Sequence, residues 1–454
     1  MGAGARRFLI LCRFKIPKNR FSNMRFLILT QYFPPEIGGP QTRLQSLATE
    51  LKRKGHEVEI LTALPNYPRG AFFSGYERCW YWREIRNGLV VHRVWLYPAM
   101  GGGVQRILNY GSFTLTSLLG LFRVQRPDYI FVESPPLSLS FSGYVAGLFW
   151  RVPFIFNVAD LWPDAIVEGG FIKNSFVVRC LAALERWSYR KAAYVNAVTE
   201  GIRSSLLKEK SVPVEKVLFL PNGVDTMHYQ PRPCDDRLKS ELGLDGKKII
   251  LWAGTQGYSH GLQYVLQAAK LLKAEREVHF LFVGDGSARA ELQRQKQEME
   301  LENVTFRDPV SLGYLPAYFS IAECGLASLT GIPLHDGARP SKIFPVWASG
   351  KPVIFVGQGE GARLVQQANA GMVVPPENPE ALAAAVLQMT RNTEYASELG
   401  RNGRFFVEAN LQWSQLVDNW LARLIPSDKH PQSLIPKASE RAANSVSEGL
   451  QQCQ

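Results

Sequence analysis

Short apolar segments alternate with helical patterns along this chain, and this alternation limits the available folds more than any other feature. Nearly continuous apolar strands with helices between them are typical of a parallel sheet that is covered on both faces. The sequence therefore predicts an α/β fold. The predicted strands of the first half are RFLIL (25–29), EVEIL (57–61), LVVHRVWL (89–96), YIFVE (129–133), PFIFNV (153–158) and YVNAV (194–198).

A proline-rich break divides this alternation into two halves. LPNGVD (220–225) and YQPRPCDD (229–236) combine Pro, Asn, Asp and Gly in a pattern that is typical of irregular connections. The alternation then restarts at KIILWAG (248–254) and continues to PVIFV (352–356). Because 454 residues are also too many for one compact core, the sequence predicts two Rossmann-like domains, each with a parallel sheet.

The two ends of the chain differ in composition from its middle. The first 23 residues carry six basic residues and no acidic one, within a chain of net charge +12. We expect Met24 to be the true start, because RFLIL follows it closely; a basic arm that contacts anionic lipid or nucleic acid is the alternative. The predicted units are a disordered basic arm (1–23), an N-terminal domain (24–225), a C-terminal domain (241–409), a closing helix (410–426) and a disordered polar tail (427–454).

Cysteine usage and hydropathy predict the compartment. Six scattered cysteines form no Cys-x-x-Cys pair and no Cys/His cluster, which favours reduced thiols and no structural zinc. No segment reaches the roughly 18 apolar residues that a membrane span needs. The apolar segments 112–122 and 137–150 are typical of core helices, although Arg106, Arg123 and Arg126 flank the first as in helices that lie on a membrane face. We therefore expect a cytoplasmic protein that can also contact the anionic inner face of the plasma membrane, and no nucleic-acid partner.

One segment of the second half predicts an anion pocket. ARPSKIFPVWASGKPVI (338–354) places Arg339, Ser341 and Lys342 at the start of a short helix that Gly350 ends. The first N–H groups of a helix are unpaired and its dipole favours negative charge, so two cations and a hydroxyl placed there can hold an anion. A solvated loop before an ordinary helix is the alternative.

The predicted sheets also indicate where a ligand binds. In open parallel sheets ligands lie beyond the carboxyl ends of the strands, and the loops 31–41, 134–137 and 159–164 fall there. Two such domains predict an enzyme that binds a nucleotide in the cleft between them. A nicotinamide cofactor is disfavoured, because QYFPPEIGGP after the first strand lacks the GxGxxG pattern and Arg289 replaces the third glycine after FLFVGDG.

A set of motifs in fixed order resembles one enzyme family, the retaining glycosyltransferases of family 4. The motifs are QYFPPEIGGP, NVADLWPDA, LPNGVD, LWAGTQGYSHGL, FLFVGDG and PSKIFPVWASGKPVI. The likeness extends from Met24 to about Leu424 and is greatest to the fucosamine-transferase-like branch, which builds bacterial surface polysaccharides. It implies the GT-B fold, in which two Rossmann-like domains face each other, the N-terminal domain faces the acceptor and the C-terminal domain holds the nucleotide sugar.

The resemblance also implies an activity. It implies metal-independent, hexosyltransferase-type transfer of a sugar from a nucleotide-sugar donor, expected to be UDP-linked, to a lipid-linked or polysaccharide acceptor, without a cofactor. A catalytically degenerate GT-B binding protein and a nucleotide-sugar epimerase of the same architecture are the alternatives.

Donor-contacting residues follow from the same resemblance. Gly38 and Gly39 would let backbone N–H groups approach the donor diphosphate, with a plain tight turn as the alternative. Lys342 matches the lysine of the PSK motif and would neutralise charge on the leaving diphosphate. The other implied residues are Gly254, Thr255 and Gly257 in a phosphate-facing loop, Arg339 and Ser341 beside Lys342, and Asp308 to Val310 beside the base.

Asp160 is the carboxylate expected at the acceptor. It closely follows the predicted strand 153–158, so it should lie at the carboxyl edge of the sheet, where it can orient or deprotonate a hydroxyl. A helix N-cap or turn aspartate is the alternative role, and Asp164 is the second choice. The family implies departure and attack on the same face of the sugar, with the leaving phosphate assisting the proton transfer.

The sequence departs from the family pattern at three places. Pro345 stands where the family has a glutamate that is expected to hold the donor ribose, and it cannot accept a hydrogen bond through its side chain. Tyr258 and His260 replace a basic residue and a glutamine, and Ala159 replaces an arginine. Either His260 or His335 can compensate, or both can have structural roles.

Overall fold

The computed structural model describes residues 23–424, except Arg78, 100–102 and 165–173. The predicted basic arm, apart from Asn23, and the predicted polar tail both lie outside the described residues.

The first domain contains an eight-stranded sheet in the order β3-β4-β2-β1-β5-β6-β7-β8. Its strands are β1 Arg25–Leu29, β2 Glu57–Ala63, β3 Tyr81–Arg86, β4 Leu89–Val94, β5 Tyr129–Ser134, β6 Phe154–Val158, β7 Tyr194–Ala197 and β8 Val217–Phe219. Its helices are α1 Gly39–Arg53, α2 Gly103–Gly120, α3 Leu139–Trp150, α4 Ser175–Lys191 and α5 Glu200–Lys208. All strand pairs are parallel except β3 with β4.

The second domain contains a six-stranded parallel sheet in the order β11-β10-β9-β12-β13-β14. Its strands are β9 Lys248–Ala253, β10 Val278–Val283, β11 Val304–Arg307, β12 Ala322–Ser328, β13 Val353–Val356 and β14 Gly371–Val374. The helices that follow the first domain are α6 Asp236–Glu241, α7 Leu262–Leu271, α8 Arg289–Glu298, α9 Leu315–Ile321, α10 Ile343–Ala348, α11 Gly359–Ala368, α12 Pro379–Arg391, α13 Thr393–Asn410 and α14 Trp413–Leu424.

The predicted fold class is confirmed, whereas the two edge strands of the first sheet, β3 and β8, were not predicted. The strand β3 pairs with β4 in an antiparallel hairpin. Asn87 and Gly88 connect the two strands with φ angles of 50° and 74°. Two consecutive positive φ angles suit the right-handed twist of a two-residue hairpin, and Asn-Gly is its commonest sequence.

The last helix fastens the end of the described chain to the first domain. Trp420 of α14 lies 6.2 Å from the ring of Phe26 and 6.0 Å from the ring of Phe131. Its indole Nε1 donates a hydrogen bond of 3.1 Å to Asn196, which lies on β7. The closing helix therefore starts after the second domain and packs back on the core of the first.

The carboxyl edges of the two sheets face each other. Glu360 lies in the first turn of α11, directly after β13, and its carboxylate accepts hydrogen bonds of 3.2 and 2.7 Å from the backbone N–H groups of Glu200 and Gly201. Those two residues begin α5, directly after β7. A Cβ atom on Gly201 would lie 2.7 Å from the Cα of Gly337, so the backbones of the two domains approach closely here. The predicted cleft is therefore bounded by loops from both carboxyl edges.

Candidate active site

Lys342 lies at the carboxyl edge of the second sheet, directly before α10. Its Nζ is 4.6 Å from the centroid of the Trp252 ring and 3.1 Å from Nε2 of His260. Burial lowers the pKa of Lys342 from 10.5 to about 7. The ammonium group therefore has a neutral histidine and an aromatic ring as neighbours, and an anionic ligand would stabilise its charge.

His260 is the residue that holds Lys342 in place. Burial, and then the charge of Lys342, lower the pKa of His260 well below 6.5, so the ring is neutral. Its Nδ1 lies 3.2 Å from the carbonyl oxygen of Ser328, so Nδ1–H donates there and Nε2 is left to accept from Lys342. His335 instead contacts the Thr330 carbonyl at 2.9 Å, within its own turn. Of the two histidines, only His260 is brought to Lys342.

Gly254 lies against Lys342 in the loop after β9. Its φ angle is +139°, and a Cβ atom there would lie 2.8 Å from Cε of Lys342. A Cβ atom on Gly284 would overlap the carbonyl oxygen of Gly254, so the loops after β9 and β10 touch through their backbones. Thr255 and Gly257 continue the same loop, half-buried. The predicted phosphate-facing loop and the predicted lysine thus form one backbone-lined cradle.

The other predicted donor-side residues lie further along the same edge. Asp308 follows β11, and its carboxylate pairs with Arg289 at 2.6 Å. Val310 packs on the core of the second domain. Arg339 lies over the ring of Phe344 at 5.6 Å, and no hydrogen-bond partner for its buried Nε lies within the described part of the chain. Ser341 is half-buried beside Lys342, and its role stays a prediction.

Gly38 is the N-cap of α1 in the first domain, and Gly39 is the first residue of that helix. Gly38 is extended, with φ 171°, and the atoms nearest to a Cβ atom there would belong to the flexible side chain of Gln41. A Cβ atom on Gly39 would have nothing within 4 Å. Nothing in the described protein therefore requires glycine at position 39, and the predicted close approach of a diphosphate stays a prediction.

Asp160 lies in the loop after β6, as predicted, with Arg43 and Glu133 nearby. The side chain of Asp160 makes no hydrogen bond to any described residue, so the alternative N-cap role gains no support. Surrounding protein atoms raise the pKa of its carboxyl above 3.8, and Arg43 partly offsets this. Asp164, the second choice, is instead paired with Lys210 at 2.7 Å.

A buried network lies beside Asp160, and it was not predicted. Arg43 pairs with Glu133, whose other oxygen accepts 2.7 Å from Asn157. Asn157 in turn accepts 2.6 Å from Asn196, the residue that Trp420 contacts. One residue in the sequence could have indicated this network. Glu133 is a carboxylate at the end of an apolar strand, and a buried charge needs a partner.

Comparison with known proteins identifies the family. The model for a glycosyl transferase 4-like domain matches residues 38–223, and the model for glycosyl transferases group 1 matches residues 247–392. The chain belongs to the GT-B glycosyltransferases of the family 4 type. The predicted enzyme class is thereby confirmed, whereas the predicted fucosamine-transferase-like branch stays a prediction.

Relatives of this glycosyltransferase cover most of its length. WcaI of Escherichia coli K12, a candidate glycosyl transferase of colanic acid biosynthesis, is 28% identical over 377 residues, which are 80% of this chain and 92% of WcaI. The fold matches sucrose-phosphate synthase from Thermosynechococcus elongatus with a TM-score of 0.71 at 17% identity, over 88% of this chain and 98% of that one. It also matches HepE of Anabaena, solved with UDP and glucose, with a TM-score of 0.67 at 16% identity, over 88% and 99%.

Proposed function

We propose that this glycosyltransferase moves a sugar, with retention, from a nucleotide-sugar donor to a lipid-linked or polysaccharide acceptor in cell-surface glycan biosynthesis. The observation that carries the donor side is the cradle of Lys342, His260 and Gly254. Lys342 has no carboxylate partner among the described residues, and a cation set among close-packed backbone suits a diphosphate whose charge grows as the sugar leaves. The name of WcaI supports the glycan pathway.

The donor is proposed to be UDP-linked. HepE was solved with UDP and with UDP-glucose, which supports a uridine nucleotide in this cleft. Pro345 lies in the first turn of α10, where proline is tolerated, so the helix forms without the family's carboxylate. The ribose must therefore be held by other groups, and the backbone after β11 is the proposed site for the base.

The acceptor is proposed to lie beside Asp160. Its raised pKa makes the carboxylate a stronger base than an ordinary aspartate, which suits transfer of a proton from a sugar hydroxyl. No second carboxylate among the described residues is placed as a nucleophile, so we assign a same-face mechanism in which the leaving phosphate shares the deprotonation. Positioning by the two domains then supplies much of the rate enhancement.

Donor hydrolysis with a panel of nucleotide sugars tests this function. We expect one or a few UDP-sugars to be hydrolysed slowly without acceptor, because water replaces the acceptor hydroxyl, and to bind more tightly than their GDP and CDP counterparts. Product release is measured by chromatography and binding by calorimetry. Binding of a donor without turnover would favour the degenerate binding protein, and conversion of the donor to an isomer would favour the epimerase. Binding of no donor would contradict the proposed function.

We also propose that the first domain rests on an anionic membrane. None of the helices among the described residues is long and apolar enough to cross a bilayer. The outer side of α2 exposes Val104, Ile107, Leu108, Leu115 and Leu119, and the turn that follows α2 exposes Phe122, whose ring lies 5.8 Å from that of Phe149 on α3. We call these seven residues the apolar face. Leu119 and Phe122 are 70% and 73% exposed, and Arg123 and Arg126 follow them, as in helices that lie in the interface of a bilayer.

Vesicle binding should depend on the apolar face. We expect Leu115→Asp with Leu119→Asp to lower co-sedimentation with phosphatidylglycerol vesicles at least about tenfold, because each buried leucine contributes roughly 1.5 to 3 kcal/mol. Leu271→Asp, on the exposed side of α7, is the matched control and should bind like the wild type. Equal loss in both variants, or no loss in the first, would contradict a membrane role for this face.

A further inference from the structure

Four aromatic side chains and one arginine form a cluster on the cleft side of the first domain. The rings of Tyr32 and Tyr67 lie 5.7 Å apart, and those of Tyr110 and Trp162 lie 6.2 Å apart. Arg106 donates from Nε to the Tyr110 hydroxyl at 3.2 Å. All four rings are half-buried, so each keeps a surface open to a ligand. This acceptor cluster is not used by the donor site described above.

The acceptor cluster borders the cleft and the proposed base. Tyr67 lies within electrostatic range of Asp285, which follows β10 in the second domain. Trp162 is two residues after Asp160 in the same loop. Aromatic rings in such a position offer apolar surfaces for the C–H faces of a sugar, while their polar groups can hydrogen-bond its hydroxyls.

Arg106 has no acidic partner in the described part of the chain. Tyrosine hydroxyls, those of Tyr110, Tyr32 and Tyr67, are the groups that favour its charge. Glu36 lies near Tyr32, but it accepts 2.8 Å hydrogen bonds from the backbone N–H groups of Asn66 and Tyr67. Burial raises the pKa of Glu36 to about 7, so it carries only part of a negative charge at neutral pH. An exposed guanidinium among hydroxyls is a site for an anionic ligand.

The position of Arg106 on α2 connects the acceptor cluster to the apolar face. Arg106 and Tyr110 are four residues apart and share one side of the helix with the buried Phe113. Val104, Leu108, Leu115 and Leu119 lie on the opposite, exposed side. A helix is only about 10 Å across, so a ligand held by Arg106 can extend an apolar chain over the apolar face.

We propose that the acceptor cluster binds a polyprenyl-diphosphate-linked sugar, with its diphosphate on Arg106. This inference rests on the proposed function, and it specifies the acceptor class. The lipid then lies over the apolar face, and the sugar lies on the aromatic rings with a hydroxyl directed at Asp160. A neutral polysaccharide would place no negative charge beside Arg106.

Geranyl diphosphate is a soluble probe for this site. Its binding is measured by calorimetry with UDP present at saturation, so that the donor cradle is occupied. We expect the wild type to bind geranyl diphosphate at least about tenfold more tightly than inorganic pyrophosphate or geraniol, because only this probe carries both the charge and the chain. Arg106→Gln should weaken geranyl diphosphate at least about tenfold, and Arg106→Lys should recover part of the loss.

Two controls separate this proposal from folding and from the donor site. Arg401→Gln removes the same charge from an exposed position on α13 and should bind the probe like the wild type. UDP affinity and the thermal midpoint should be unchanged in Arg106→Gln. If the wild type does not bind UDP, the proposed function is wrong, whatever the result with geranyl diphosphate.

Three results would overturn the inference itself. The first is unchanged binding of geranyl diphosphate by Arg106→Gln, a result that would show that Arg106 is not part of the site. The second is equal affinity for pyrophosphate, which would leave a simple anion site without a lipid. The third is equal affinity for geraniol, which would leave an apolar site without a role for the diphosphate.

Discussion

Lys342→Met should lower kcat/KM for the donor by about 10²- to 10³-fold, since a fixed donor of positive charge at a leaving group typically contributes this much. The substitution keeps most of the volume beside Trp252 and Gly254, so the loop after β9 can keep its shape. Steady-state transfer or donor hydrolysis, measured with the nucleotide sugar found in the panel, gives the effect. UDP affinity should fall in parallel, because the product carries the same diphosphate.

Lys351→Met is the matched control for this variant. Lys351 follows α10, is half-buried, and has a pKa that burial lowers, but its neighbours are Glu323 and Cys234 rather than the cradle. We expect its kcat/KM to stay within about threefold of the wild type, as for a substitution outside the site. Equal losses in the two lysine variants would assign the effect to folding, and no loss in Lys342→Met would remove Lys342 from the donor site.

The pH dependence of UDP binding is the second readout of the same variant. With a pKa of about 7 in the free protein, Lys342 is mostly neutral at pH 8 and mostly charged at pH 6. A bound diphosphate raises this pKa, so UDP binding should take up close to one proton at pH 8 and fewer at pH 6, and affinity should fall as pH rises above 7. Calorimetry in buffers of different ionisation enthalpy measures the uptake, which Lys342→Met should abolish.

Local sequence patterns were sufficient for most of the fold. The period of the apolar residues predicted β1, β2, β4, β5, β6 and β7, and the Pro-rich break between the two sheets was also visible. Gly350 correctly predicted the end of the helix that follows Lys342, and its φ angle of +72° is one that favours glycine. These features depend on residues close together in the chain, which is why a single sequence shows them.

The contacts that complete the site join residues far apart in the chain. His260 and Lys342 are 82 residues apart, and Arg43 and Glu133 are 90 apart. No local pattern specifies which histidine meets the lysine or which arginine meets a buried carboxylate. The same holds for the direction of α14, because an amphipathic helix can pack on either domain until Trp420 finds Asn196 across 224 residues.

Asp160→Asn should lower kcat by about 10²- to 10⁴-fold, the range that a positioned general base contributes. The amide keeps the shape of the carboxylate but cannot accept the proton of the acceptor hydroxyl. Donor binding should change little, since Asp160 lies in the first domain and the cradle in the second. Transfer to an acceptor, measured together with UDP affinity, separates the two effects.

Asp164→Asn is the control within the same loop. The fall of kcat at acid pH is a second and more specific measurement of the role of Asp160. Asp164 already pairs with Lys210, so its loss should affect stability more than turnover. Because the pKa of Asp160 is raised above 3.8, wild-type kcat should fall as pH falls through that raised value, where the carboxylate becomes protonated. Asp160→Asn should lack this acid limb. If the limb persists in Asp160→Asn, or if both asparagine variants turn over like the wild type, the leaving phosphate alone deprotonates the acceptor and Asp160 only lines the cleft.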